Sequence, residues 1–224
     1  MIEKYTFMPD SLSFSPFNAR VFAQIRERFP RGTIFFAEDL DFPDVPPANV
    51  RLALSELSKD SLSIIRVSRG VFCYPRLDGN AKVMVPDPLT VAEAVAARWR
   101  VRIAPCGEQA AYLAGLVPWP ASAPLRFVSD GSRQHFNLEG GRRIEFVWRS
   151  SLKVFSFRNE RMRNLVEGLR WLGPANVGDP EKTVAWKILR EVPDADFQND
   201  IRLAPGWISG ILRDLKKSQA AIGG

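Results

Sequence analysis

Arg51, Ser55 and Lys59 recur every four residues along PANVRLALSELSKDS. With Ala48 and Leu52 they lie opposite the apolar set Val50, Ala53, Leu54 and Leu57 when the segment is drawn as a helix. A helix of this kind fits the major groove of DNA and reads base edges from its exposed side. Arginine pairs with guanine, lysine and serine hold phosphates or bases, and Leu52 is apolar enough to meet a thymine methyl. Asn49, near the helix start, has the chemistry either to meet adenine or to cap the helix. Arg66, Ser68, Arg69 and Arg76 follow directly, and Ser68-Arg69-Gly70 reads as a tight turn that would reach a phosphate or the minor groove. An ordinary amphipathic helix with a solvated face has the same pattern, and small helix-and-hairpin modules also dock proteins.

A second basic stretch lies further on. Residues 126–170 hold ten Lys and Arg against five acids, including Arg126, Arg133, Arg142, Arg143, Arg149 and Lys153. They alternate with Phe127, Phe136, Phe146, Trp148, Phe155 and Phe157. Aromatic rings among cations can stack single-stranded nucleic acid, so RNA, DNA or nucleotide contact is one reading. Strands with aromatics turned to a core and arginines turned to water give the same alternation, and that reading is preferred.

Catalytic chemistry finds little support. His135 is the single histidine, and no G-x-S-x-G elbow marks a nucleophile. Asp130 and Glu145 read as a turn aspartate and a surface glutamate, since Lys153 is too far along to complete a metal nuclease. Cys73 and Cys106 lack ligand-pair spacing, which argues against zinc. No P-loop or dinucleotide fingerprint occurs. The expectation is a protein without catalysis, metal or cofactor.

The elements that position these residues follow from periodicity. Phe17, Val21, Phe22, Ile25 and Phe29 form one helical face after Ser15-Pro16, and Thr33–Phe36 suits a short strand. One helical turn over 37–40, the helix at 48–59, and strands at 62–67 and 71–74 come next. That order is the layout of a winged helix-turn-helix. After a linker over 78–88, helices are predicted at 89–99 and 108–116, with a strand at 101–104 between them. A proline-rich link (VPWPASAP) precedes strands at 125–129, 134–138, 143–148 and 152–157, then helices near 159–172, 181–190 and 204–219. The fold class is therefore α+β: a DNA-binding domain over 1–80, then an α+β domain over 86–224 with a small, mainly antiparallel sheet and C-terminal helices.

Composition sets the frame. A net charge of +6 favours polyanionic partners only modestly, so the local clusters matter more than the total. Residues 1–85 are nearly neutral, with 11 Lys and Arg against 10 acids, four of them the cluster Glu38, Asp39, Asp41 and Asp44. The opening residues lack the basic flank and apolar core of a signal peptide, and no stretch is long and apolar enough for a membrane span. A soluble, cytoplasmic protein with no membrane partner is expected.

Four segments in order carry a resemblance. GTIFFAEDLDF, VRLALSELSKDSLSIIRVSRGVFCYPR, PCGEQAAYLAGLVPWP and RFVSDGSRQ resemble segments of AbiEi-type bacterial antitoxins across roughly residues 17–150. Ala114 stands where that family often has leucine, Trp119 where it is commonly polar, and the tail beyond about residue 175 has no counterpart. The resemblance implies a winged N-terminal domain that binds double-stranded operator DNA and represses its own promoter. It also implies a C-terminal domain that counters a nucleotidyltransferase-like toxin without a stable complex, as in type IV toxin–antitoxin (abortive infection) systems. The alternative is a stand-alone winged-helix regulator whose C-terminal domain senses a ligand or dimerises.

Overall fold

The computed structural model describes residues 14–118 and 124–222. Most of the opening segment read for a signal peptide, and most of the proline-rich link, lie outside those residues. The chain is α+β and divides between Asp87 and Pro88 into two compact units.

In the first unit, α1 (Pro16–Arg28) starts where Ser15 accepts a hydrogen bond from the Asn18 amide at 3.2 Å, with proline in the first turn. It is followed by β1 (Ile34–Phe36) and a 3-10 turn over Ala37–Asp39. The Asp39 carboxylate accepts the Phe36 amide at 2.8 Å, so this acid serves the backbone. Next come α2 (Pro47–Leu57), β2 (Ile65–Ser68) and β3 (Val71–Cys73). The three strands form an antiparallel sheet in the order β1-β3-β2. Val21 and Ile25 of α1, Leu54 and Leu57 of α2, and Phe35, Ile64 and Phe72 close one core around it. Between α2 and β2, Asp60 accepts the amides of Leu62 and Ser63, which turns the chain back towards the sheet. Strand β2 begins at Ile65 rather than residue 62 because those turn bonds occupy the preceding residues.

The segment predicted as a plain linker over 78–88 contains β5 (Val83–Met84), which forms a small ladder with β4 (Arg76–Leu77) just before it. Its turn is held by Asp78, whose carboxylate accepts the Asn80 and Lys82 amides.

The second unit opens with α3 (Pro88–Trp99), β6 (Ile103–Pro105) and α4 (Glu108–Leu113). Strands β7 (Leu125–Ser129), β8 (Gln134–Asn137) and β9 (Arg143–Trp148) complete a four-stranded sheet in the order β6-β7-β9-β8. The β7–β9 pairing is parallel and the other two are antiparallel. Because β9 is flanked by β7 and β8, both of its edges are taken and no hairpin partner can follow it. The predicted strand over 152–157 is instead a 3-10 turn over Lys153–Ser156, which seats Val154 against Ala104, Cys106 and Val128. On the opposite face, Phe136 and Phe146 meet Trp99 of α3 edge-on, and Phe127 and Phe136 meet Phe146 in the same way.

The C-terminal helices are α5 (Glu160–Leu172), α6 (Asp179–Glu191), α7 (Asp194–Asp200) and α8 (Gly206–Ile222). Met162, Leu165, Leu169, Leu189, Ile208 and Leu212 form their shared core. The short α7 escapes a periodicity reading, since its polar sequence DADFQND offers one large buried side chain, Phe197. It also carries a fully buried carboxylate. Asp200 accepts the amides of Arg158 and Asn159, both at 2.9 Å, and so fixes the chain entering α5.

Candidate nucleic-acid interface

Helix α2 buries Val50, Ala53, Leu54 and Leu57 and turns the other side to solvent. Asn49, Arg51 and Leu52 of α2 are exposed, Leu52 at 62%, which leaves it available for an apolar contact; Lys59, predicted within the helix, is exposed in the turn beyond its end at Leu57. Ser55 is half-buried at the edge of this face. Pro46 holds the N-cap position with no side-chain cap, so Asn49 lies inside the first turn and does not cap the helix.

The exposed face is not purely basic. Arg51 Nη2 lies 3.1 Å from Glu38 Oε1, and Lys59 Nζ lies 2.6 Å from Glu56 Oε2. Glu38 stands on the 3-10 turn just before α2, so the acidic cluster noted in the sequence reaches the candidate face at one point. Both pairs are well exposed and each contributes only about 0–1 kcal/mol, so polyanion binding could displace either.

Strands β2 and β3 meet at the two-residue turn Arg69-Gly70, where Gly70 takes φ +76°. This left-handed backbone is one that glycine adopts without strain. Arg69 is exposed at the tip. Ser68, predicted as a contact, is 5% exposed: the ladder shifts register between Arg66 and Ser68, so the strand's alternation is broken there and the hydroxyl is not presented to a ligand. Arg66 is half-buried on β2 opposite Phe72. Arg76 is exposed, yet its Nε donates to the Arg31 carbonyl at 3.2 Å, while Arg31 donates to Pro75 and covers the Tyr74 ring at 4.7 Å. Arg76 thereby closes the fold, and a side chain at Gly32 would collide with it.

In the second unit the arginines of the basic stretch are largely answered by carboxylates. Arg126 and Glu145 are register partners on β7 and β9, with Nε to Oε2 at 2.9 Å, and Arg143 reaches the other oxygen at 3.3 Å. Arg149 Nη1 lies 2.6 Å from Glu167 Oε2, and Arg170 lies 3.6 Å from the same carboxylate. Glu167 is only 2% exposed, so Arg149 serves a buried anion rather than a free basic surface. Arg142 is half-buried, whereas Arg133 and Lys153 are exposed. Phe127 and Phe146 are in the core, but Trp148 is 60% exposed.

The other reactive groups are similarly committed. Asp130 is bonded by Arg102 through both side chain and backbone amide, and these bonds hold its carboxyl below the usual carboxylate range. Burial pushes the thiols of Cys73 and Cys106 up to about 11, so both are neutral at ordinary pH. His135 is exposed on β8, opposite Glu145. Among the described residues, no group of three His, Cys, Asp or Glu is placed to hold a metal ion, and no helix is long and apolar enough to cross a membrane.

A family model matches residues 20–197, which spans both units. The chain belongs to DUF6088, a family of unknown function. No curated protein matches it, and no solved structure matches it. The matched region of this DUF6088 chain contains α2, the Arg69 turn and the whole four-stranded sheet, and ends within α7.

The sequence reading of the first unit missed the Arg51–Glu38 pair. Its signal was the acidic cluster thirteen residues before the arginine, which periodicity alone does not connect to α2.

Proposed function

We propose that this protein is a DNA-binding transcriptional autoregulator of the AbiEi antitoxin type, with a winged helix-turn-helix as its first unit. The observation that carries the reading is the exposed face of α2 beside a tight basic hairpin, on a sheet ordered β1-β3-β2. Helix, strand, short turn, helix and hairpin in this order are the parts of a winged helix-turn-helix. In this reading α2 enters the major groove with Arg51 and Leu52 towards the bases and backbone and Asn49 beside them, while Lys59 follows in the turn just past the helix end. Arg69 reaches the adjacent phosphate or minor groove from the hairpin tip.

The role against a nucleotidyltransferase-like toxin rests on the sequence resemblance over roughly residues 17–150. In that reading the second unit acts on the toxin's effect without a stable complex, and the protein works in the cytoplasm without catalysis or cofactor. The alternative is a stand-alone regulator, whose second unit senses a ligand or dimerises.

The test is a fluorescence-anisotropy titration of the full chain against the DNA upstream of its own gene and against a scrambled duplex, at two salt concentrations. Tighter, salt-sensitive binding to the upstream DNA supports the regulator. Equal affinity for both duplexes at both salts rules out sequence reading by α2.

A further inference from the structure

One end of the four-stranded sheet in the second unit presents aromatic rings and arginines to solvent. Trp99, the last residue of α3, is 44% exposed, and edge-on contacts hold its ring 6.2 Å from Phe136 and 5.7 Å from Phe146. Trp148 ends β9 two residues after Phe146, so it projects from the same face of the sheet, and it is 60% exposed. Both exposed rings therefore flank Phe146. The charges beside them are one-sided. Arg100 follows Trp99, and Arg133 precedes Gln134, the register partner of Phe146. Both arginines are exposed, and neither side chain has an ion pair or hydrogen bond among the described residues. Val101 packs so closely on Gly131 that a side chain there would collide with it, which brings together the two loops that carry these arginines. Asp130, the acid on those loops, is taken up by Arg102.

Arg100 also takes φ +56°, a left-handed conformation just past a helix end that ordinarily goes to glycine. An arginine held there at a cost in backbone strain points to a use for its side chain. Open ring faces beside unpaired cations suit a ligand that offers flat bases and phosphates together. Duplex DNA hides its base faces, and an acidic peptide would leave the rings unused. We propose that this end of the sheet binds single-stranded nucleic acid, with bases stacked on Trp99 and Trp148 and phosphates held by Arg100 and Arg133. The recognised groups are common to RNA and DNA, so both belong in the test. The site lies in the second unit alone and stands independently of duplex reading by the first.

Anisotropy titration of the full chain with a labelled single-stranded RNA, the matching DNA strand and their duplex, at two salt concentrations, tests this. At least one single strand should bind saturably and with salt sensitivity, quench tryptophan fluorescence, and bind more tightly than the duplex. Trp148→Ala should weaken that binding about fivefold or more, and Trp148→Phe, which keeps a ring, should recover most of the loss. Arg100→Gly should lower both affinity and salt slope, while its thermal midpoint holds or rises because glycine relieves the backbone. A merely structural arginine would leave binding unchanged. Circular dichroism checks that each variant folds. Single-strand binding should survive in an Arg51→Ala, Arg69→Ala double variant; its loss there would place it on the first unit and overturn the proposal. Absence of saturable binding to either strand overturns it too, as does binding that Trp148→Ala and Arg100→Gly both leave intact. Quenching by anionic phosphatidylserine vesicles without any single-strand binding would assign the patch to a membrane surface instead.

Discussion

Arg51 Nη2 lies 3.1 Å from Glu38 Oε1, so the central cation of the exposed face of α2 is shared with an acid on the preceding turn. At about half exposure on both sides, the pair contributes little to stability, so in the proposed DNA-binding reading its effect would fall on recognition. A carboxylate in this place holds the guanidinium in one direction, and in that reading it would repel a phosphate backbone that approached without the matching base.

Glu38→Gln should therefore strengthen binding to scrambled DNA and narrow the preference for the upstream sequence, with stability changed by no more than about 1 kcal/mol. Arg51→Ala and Arg69→Ala should each weaken binding to the upstream DNA. The loss is about 1–3 kcal/mol for an arginine that reads a base, and a smaller salt slope marks one that holds a phosphate. Anisotropy titrations at several salt concentrations separate the two roles. Unchanged affinity and slope in both arginine variants would remove α2 and the hairpin from the interface.

The core beneath that face should respond in the opposite sense. Leu54 is fully buried among α1, α2 and the sheet, and Leu54→Ala should destabilise the first unit by about 2–5 kcal/mol. Leu52→Ala, two residues away and 62% exposed, should leave the urea midpoint almost unchanged. Comparing the two midpoints checks the orientation of α2.

Gly168 marks the closest approach of α4 and α5. A Cβ there would lie 2.7 Å from the Ala111 Cα, a backbone atom with little room to move. In an exposed helix, glycine to alanine stabilises by about 1 kcal/mol. Here Gly168→Ala should destabilise by about 1–3 kcal/mol, read as a lowered thermal midpoint.

Breaking the adjacent ion cluster should also be costly. Glu167→Ala leaves Arg149, which is 30% exposed, without its anion, and a loss of about 1–3 kcal/mol is expected. Glu167→Gln keeps the shape and a hydrogen-bond acceptor and should recover part of that loss in chemical denaturation.

The two thiols make a pH prediction. Cys73 and Cys106 titrate at about 11 in the fold because burial disfavours the thiolate, against an ordinary value of 9.0. The unfolded chain therefore releases these protons first. Their stabilising contribution is complete below pH 9.0 and is lost as pH rises through about 11. Wild type should lose more stability between those pH values than a Cys73→Ala, Cys106→Ala double variant. Neither thiol should react with a disulfide reagent at pH 8 until denaturant is added.

Much of the architecture was legible because the apolar periods are strong. Helix α1, with its Ser15 cap and Pro16, and helix α2, with its buried face at Val50, Ala53, Leu54 and Leu57, follow from helical spacing. Strands β7 and β9 follow from alternating large apolar residues. Local sequence determines such elements because capping, propensity and one-sided burial act within a few residues. The tertiary structure alone decided the rest. The run over 153–156 became a turn because β9 has both edges occupied. Ser68 is buried where the β2–β3 register shifts, and Arg76 is bound to a carbonyl forty-five residues earlier. Arg126, Arg143 and Arg149 read as a basic surface in one dimension, yet Glu145 and Glu167 neutralise them across strands and helices. Charge and burial act through space, and residue order does not record which opposite charge will be brought within hydrogen-bonding distance.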